Sequence, residues 1–114
     1  MSAMTVKNLI DSGIFTVFNE GDDLEREISK PYCCDLLSVA MGKAPAGCAW
    51  VTVMGNLNTL AVASLTDAAC VILAEGVALD ENASQKARQQ GITVLRTEEP
   101  VFDAALAVHQ RLHG

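Results

Sequence analysis

Cys70-Val71-Ile72-Leu73-Ala74 is an unbroken apolar run of strand length. A strand of that kind is stable only where both of its faces are covered, which places it inside a sheet with helices above and below. The flanking residues supply the rest of such a unit. Ala49-Trp50-Val51-Thr52-Val53 reads as a strand, Gly55-Asn56 as a turn, and Leu57 to Leu65 as a helix with Leu57, Leu60, Ala61 and Ser64 on one side. Beyond Glu75-Gly76, a mostly polar helix covers Glu81 to Gln90 with Gly91 as its C-cap, and Ile92-Thr93-Val94-Leu95 is the next strand. The last helix follows Glu98-Glu99-Pro100, residues suited to a first turn, and repeats Val101, Ala105, Val108 and Leu112 at helical spacing. Strands separated by helices need crossover connections, which are almost always right-handed. The pattern predicts an α/β fold of three layers, a mostly parallel central sheet with helices on both faces.

The N-terminal third adds to one edge. Thr5 caps a short helix through Val6, Leu9 and Ile10 that ends at Gly13. Ile14-Phe15-Thr16-Val17-Phe18 reads as a strand, and Asn19-Glu20-Gly21-Asp22-Asp23 as a turn. Leu24 to Cys34 has room for a second extended segment, with Pro31 marking an edge or a bend. A short helix starts at Cys34 or Asp35, runs through Leu36, Leu37, Ala40 and Met41, and stops at Gly42. At 114 residues, with no internal repeat and no linker, residues 1–114 read as a single domain.

Charge excludes one class of partner. Eight Lys and Arg stand against 14 Asp and Glu, for a net charge of -6, and each half of the chain holds 4 basic and 7 acidic residues. There is no basic arm or stripe, so binding to a nucleic-acid backbone is not expected. A small nucleotide remains compatible, because a helix N-terminus can hold phosphates without a basic surface. The N-terminal stretch to Lys7 lacks the charged start and apolar run of a signal peptide, and no stretch is long enough to span a bilayer. No membrane association is expected, and a cytoplasmic location follows by default.

Ligands of open α/β sheets usually sit beyond the carboxyl ends of the strands. That rule nominates three loops. In the first, Gly55 permits a sharp turn while Asn56, Asn58 and Thr59 offer donors beside free helical amides. The second is Glu75-Gly76 with Asp80, and the third is Arg96-Thr97, whose guanidinium can face an anion. A turn with an N-cap, which needs only one of those side chains, accounts more simply for the first loop, and a solvated or Glu75-paired arginine accounts as well for the third.

Catalytic signatures are missing. Gly42-Lys43 lacks the surroundings of a phosphate loop, and there is neither a G-x-G-x-x-G nor a G-x-S-x-G. His109 and His113 are one helical turn apart, without further ligands spaced to complete a metal shell. Cys33 and Cys34 are adjacent, unlike a C-x-x-C pair, and Cys48 and Cys70 read as small core residues. Only Cys33-Cys34-Asp35, placed before a helix, offers a setting for a lowered thiol pKa. The acidic run Asp22, Asp23, Glu25 and Glu27 reads as a solvated edge. No metal and no cofactor is expected.

Several segments together resemble the DRTGG domain. These are Thr5 to Ile10, Leu24-Glu25-Arg26-Glu27-Ile28, Tyr32 to Ser38, Met41-Gly42, Trp50 to Val53, Asn58, Ala61 to Leu65, and Gly91 to Thr97. The likeness covers nearly the whole chain, but Ser29-Lys30-Pro31 stands where the family name suggests a glycine pair. The resemblance implies a fold similar to the N-terminal domain of bacterial HPr kinase/phosphorylase and to the regulatory domain of pyrophosphatases with CBS repeats. It implies a non-catalytic regulatory or accessory module that forms a homodimer and lies near or binds a small anionic effector such as an adenine nucleotide, or serves a partner enzyme. Without a phosphate loop, a kinase role is rejected. Two other readings stand beside it: an accessory protein of a redox or iron-sulfur, hydrogenase-type enzyme system using Cys33 and Cys34, and an enzyme, either thiol-dependent at Cys33 or Cys34 or acid-base at Glu75 and Asp80.

Overall fold

The structure, a computed structural model, describes residues 3–113. Along the chain run α1 (Val6–Asp11), β1 (Thr16–Asn19), β2 (Pro31–Cys33), α2 (Leu37–Lys43) and β3 (Ala49–Thr52). They are followed by α3 (Leu57–Leu65), β4 (Cys70–Leu73), α4 (Glu81–Gln90), β5 (Val94–Arg96) and α5 (Val101–His113). The sheet order is β1-β5-β4-β3-β2, with β2 to β5 mutually parallel and β1 antiparallel to β5. This is the three-layer α/β arrangement that the apolar runs predict.

The two central strands explain why those runs are continuous. Every residue of β3 and β4 is buried. Ala49, Val51, Cys70, Ile72 and Leu95 enter one core cluster, while Trp50, Val71, Leu73 and Val94 enter the other. From β2 to β5 the sheet advances one strand at a time, so crossovers of one hand put their helices on one face. Ala40 of α2, Leu60, Val62 and Ala63 of α3, and Ala83 and Ala87 of α4 all pack in that face's cluster. The opposite face is left for helices that are not crossovers, and Val6 and Leu9 of α1 with Ala104 and Val108 of α5 fill it.

Several boundaries depart from expectation for tertiary reasons. Strand β1 begins at Thr16 because Phe15 is buried in the α1–α5 cluster, and its register shifts between Val17 and Asn19. Of the span from Leu24 to Cys34 only Pro31–Cys33 joins the sheet. Residues 24–28 instead hydrogen-bond the N-terminal segment, as in Val6 N to Arg26 O at 2.9 Å and Ile28 N to Met4 O at 2.8 Å. Pro31 opens the edge strand, where a missing N–H costs little. Helix α2 begins later than expected, with Leu36 as an N-cap lacking a side-chain bond, and it runs through Gly42. The face of α3 also differs: Leu60 is buried, but Leu57, Ala61 and Ser64 point outward, and Thr59, Val62 and Ala63 complete the inner side. An apolar residue at nearly every position leaves periodicity nothing to read.

Candidate functional site

Because β2 to β5 are parallel, the segments after them emerge at one rim of the sheet. Gly55 and Asn56 follow β3, Glu75 and Gly76 follow β4, and Arg96 ends β5 with Thr97 after it. The structure ties the last four into one hydrogen-bonded group. Arg96 Nη2 donates to Gly76 O at 3.1 Å, Gly76 N to Thr97 O at 2.9 Å, and Glu75 N to Glu99 O at 2.9 Å. Glu75 takes a left-handed conformation, φ 61°, which few non-glycine residues adopt.

The residues before and within α3 form a second group. Asn56 is the N-cap, its Oδ1 accepting from Thr59 N at 3.1 Å, and the Thr59 hydroxyl donates to the same oxygen at 3.4 Å. Thr59 is fully buried beneath that cap, whereas Asn58 is exposed. Gly55 serves a close approach: a Cβ there would run into the Ala78 carbonyl oxygen, and Asp80 N donates to Gly55 O at 3.2 Å. The loop from Val77 to Asp80 thus separates the Asn56 group from the Arg96 group. Among the described residues no hydrogen bond joins the two groups.

Sequence reasoning missed Asp35 at this rim. It resembles a helix cap, but its Oδ1 accepts from Thr52 Oγ1 at 2.8 Å and from Val53 N at 3.1 Å, which holds the end of β3. Beside it, Trp50 Nε1 donates to Cys34 O at 2.9 Å. Asp35, Glu75, Asp80, Glu98 and Glu99 all follow β2, β4 or β5, against Arg96 alone, and Arg96 sits 3.6 Å from Glu98. The charged side chains of this rim are therefore mostly acidic, and apart from Arg96 its positive contributions are the N-terminal ends of α3 and α4.

A cleft of about 180 Å³ lies at the opposite end, between the C-terminal ends of α3 and α4. Asp23, Arg26, Ser64, Asp67, Gln90 and Thr93 are among its lining residues. Arg26 donates to both carboxylate oxygens of Asp67 at 2.9 Å, and that pair holds the Asp67 carboxyl below its ordinary value and the guanidinium above its own. A crevice at the carboxyl rim opens where strand order reverses, and β2 to β5 never reverse.

All four cysteines are free, with Cys33 exposed and Cys48 and Cys70 buried. Desolvation, then Asp35 and then Cys34 raise the Cys33 thiol, so it stays protonated at neutral pH. Burial pushes Cys48 up to about 11 and Cys70 up to about 12. The rings of His109 and His113 are 4.5 Å apart between centroids. Among the described residues no group of three or more His, Cys, Asp or Glu is placed to hold a metal ion, and no helix is long and apolar enough to cross a membrane.

No family model matches the chain, and no curated protein matches it. A solved structure does: the CBS and DRTGG domains of the regulatory region of Clostridium perfringens pyrophosphatase, complexed with the activator diadenosine tetraphosphate. The TM-score is 0.74 at 15% identity, over 95% of this chain and 47% of that one. The chain therefore spans about half the length of that relative, and the relationship is one of fold.

Proposed function

We propose that this chain is a non-catalytic regulatory or accessory module, one DRTGG-like domain that pairs with a second copy and takes up a small anionic ligand at the carboxyl rim. The observation that carries the reading is the match of 95% of the chain to a regulatory region of known structure. An adenine nucleotide is the first ligand to test, because that region was solved with diadenosine tetraphosphate. The N-termini of α3 and α4, the exposed Asn58 and the partly exposed Arg96 support the rim as its place. Binding there requires Arg96 to exchange its Gly76 and Glu98 contacts for the ligand.

Thermal melting with diadenosine tetraphosphate, ATP, AMP and inorganic phosphate tests this. A ligand at a hundred times its Kd adds about 2.7 kcal/mol to the folded state. A nucleotide is expected to raise the Tm saturably, and Arg96→Ala to remove the rise. If no nucleotide at millimolar concentration moves the Tm, the ligand half of the reading falls. The redox or iron-sulfur reading through Cys33 and Cys34 is the weaker one, since partial desolvation and Asp35 disfavour a Cys33 thiolate.

A further inference from the structure

We propose that the outer face of α2 and α3 is the surface on which the second copy docks, with the two α3 helices crossing antiparallel at Ala61. The proposal rests on the reading that the module pairs with itself, and it names where.

Of the chain's 8 Lys and Arg and 14 Asp and Glu, only Lys43 falls between residues 36 and 66. That span contains α2 and α3, neighbours in one layer and both at the surface. Its outward side chains include Leu36 at 59% exposure, Met41 at 54%, Leu57 at 43% and Leu65 at 73%, with Val39 beside them. On α3 the outward positions Leu57, Ala61 and Leu65 recur every fourth residue, so they form a single stripe. The inner side of the same helix already covers the sheet through Leu60, Val62 and Ala63. The outer stripe adds nothing to the chain's own core.

Charge selects a second copy as the occupant. The chain carries -6, and every carboxylate lies outside residues 36–66, so two copies approach with least repulsion on this face. Two exposed polar residues of α3, Asn58 and Ser64, each carry a donor and an acceptor and stand three residues to either side of Ala61, so the crossing sets Asn58 of one copy against Ser64 of the other. Along the stripe, the small Ala61 lies midway between Leu57 and Leu65. An antiparallel crossing centred on Ala61 therefore sets Leu57 of one copy against Leu65 of the other, twice, by symmetry.

Sedimentation equilibrium of the full chain decides the matter. The wild type is expected at twice 12.1 kDa, Ala61→Glu at the monomer mass with unchanged far-UV circular dichroism, and Phe102→Glu, on α5, at the dimer mass. Leu65→Lys serves as the second variant should Ala61→Glu unfold. In a Cys33→Ser, Cys34→Ser background, Ala61→Cys is expected to form a disulfide between copies and Gln85→Cys, on α4, is not. A dimer that survives both α3 variants overturns this surface while pairing stands. A wild type that stays monomeric at high micromolar concentration overturns the surface and the pairing together, and leaves the nucleotide titration to judge the regulatory reading alone.

Discussion

Helices α3 and α4 occupy the same layer, cross between neighbouring strands, and rest on the same core cluster, yet they solve the problem of a surface helix in opposite ways. Helix α4 puts Ala83 and Ala87 inward and Glu81, Asn82, Gln85, Arg88 and Gln89 outward. It has a capped start at Asp80 and a left-handed Gly91, φ 65°, at its end. Helix α3 is apolar on both sides, and its end is held by a pair between Arg26 and Asp67. The contrast separates what a fold needs from what it carries besides. Helix α4 contains only what covers the sheet, and α3 contains that together with an outer stripe the monomer does not use.

The comparison can be broken first at the two sides of α3. Leu60→Ala empties a fully buried position and is expected to cost about 2–5 kcal/mol in urea denaturation. Leu65→Ala, on the outer side, is expected to cost the monomer under about 0.5 kcal/mol. Equal losses would mean that the helix is not two-sided in this sense. The helix starts come next. Asp80→Ala and Asn56→Ala each remove an N-cap and are expected to cost about 1 kcal/mol in the same assay. A neutral Asn56→Ala would show that the Asn56–Thr59 contact does not hold α3.

The smallest effect concerns the end of α3 and appears with pH. Arg26 depresses the Asp67 pKa in the folded chain, so the unfolded chain binds the proton more readily in acid. The stabilisation is present above the unfolded value of about 3.9 and is lost as pH falls through the folded one. Asp67→Asn keeps a residue that tolerates the φ of 60° at this position and is expected to flatten that part of the acid melting profile. An unchanged profile would show that the pair contributes nothing to α3's end. The pair is partly solvated, and salt is expected to shrink its effect.

How far the sequence could be read follows the same division. Strands β3 and β4 were legible because burial on both faces writes an unbroken apolar run, and Thr5 and Gly91 were legible because capping is local chemistry. The start of β1 was not, since Phe15 belongs to the core beneath and the register shift after Val17 depends on β5, far along the chain. Asp35 looked like a cap, but its partners Thr52 and Val53 are set by the pairing of β2 with β3. At the rim, the sequence showed which loops follow parallel strands. It did not show which side chains would be free there: Thr59 is buried under its cap and Arg96 is held by Gly76 and Glu98. The cleft at the other end was invisible because Asp23 and Arg26 meet Asp67 and Gln90–Thr93 only in the folded chain.

The claim that α3 carries a face meant for another copy is tested most directly by the Tm measured across a wide range of protein concentration. Folding coupled to pairing makes the Tm rise with concentration. The wild type is expected to show that rise and Ala61→Glu to melt at one temperature throughout. A wild-type Tm that does not depend on concentration would contradict the account.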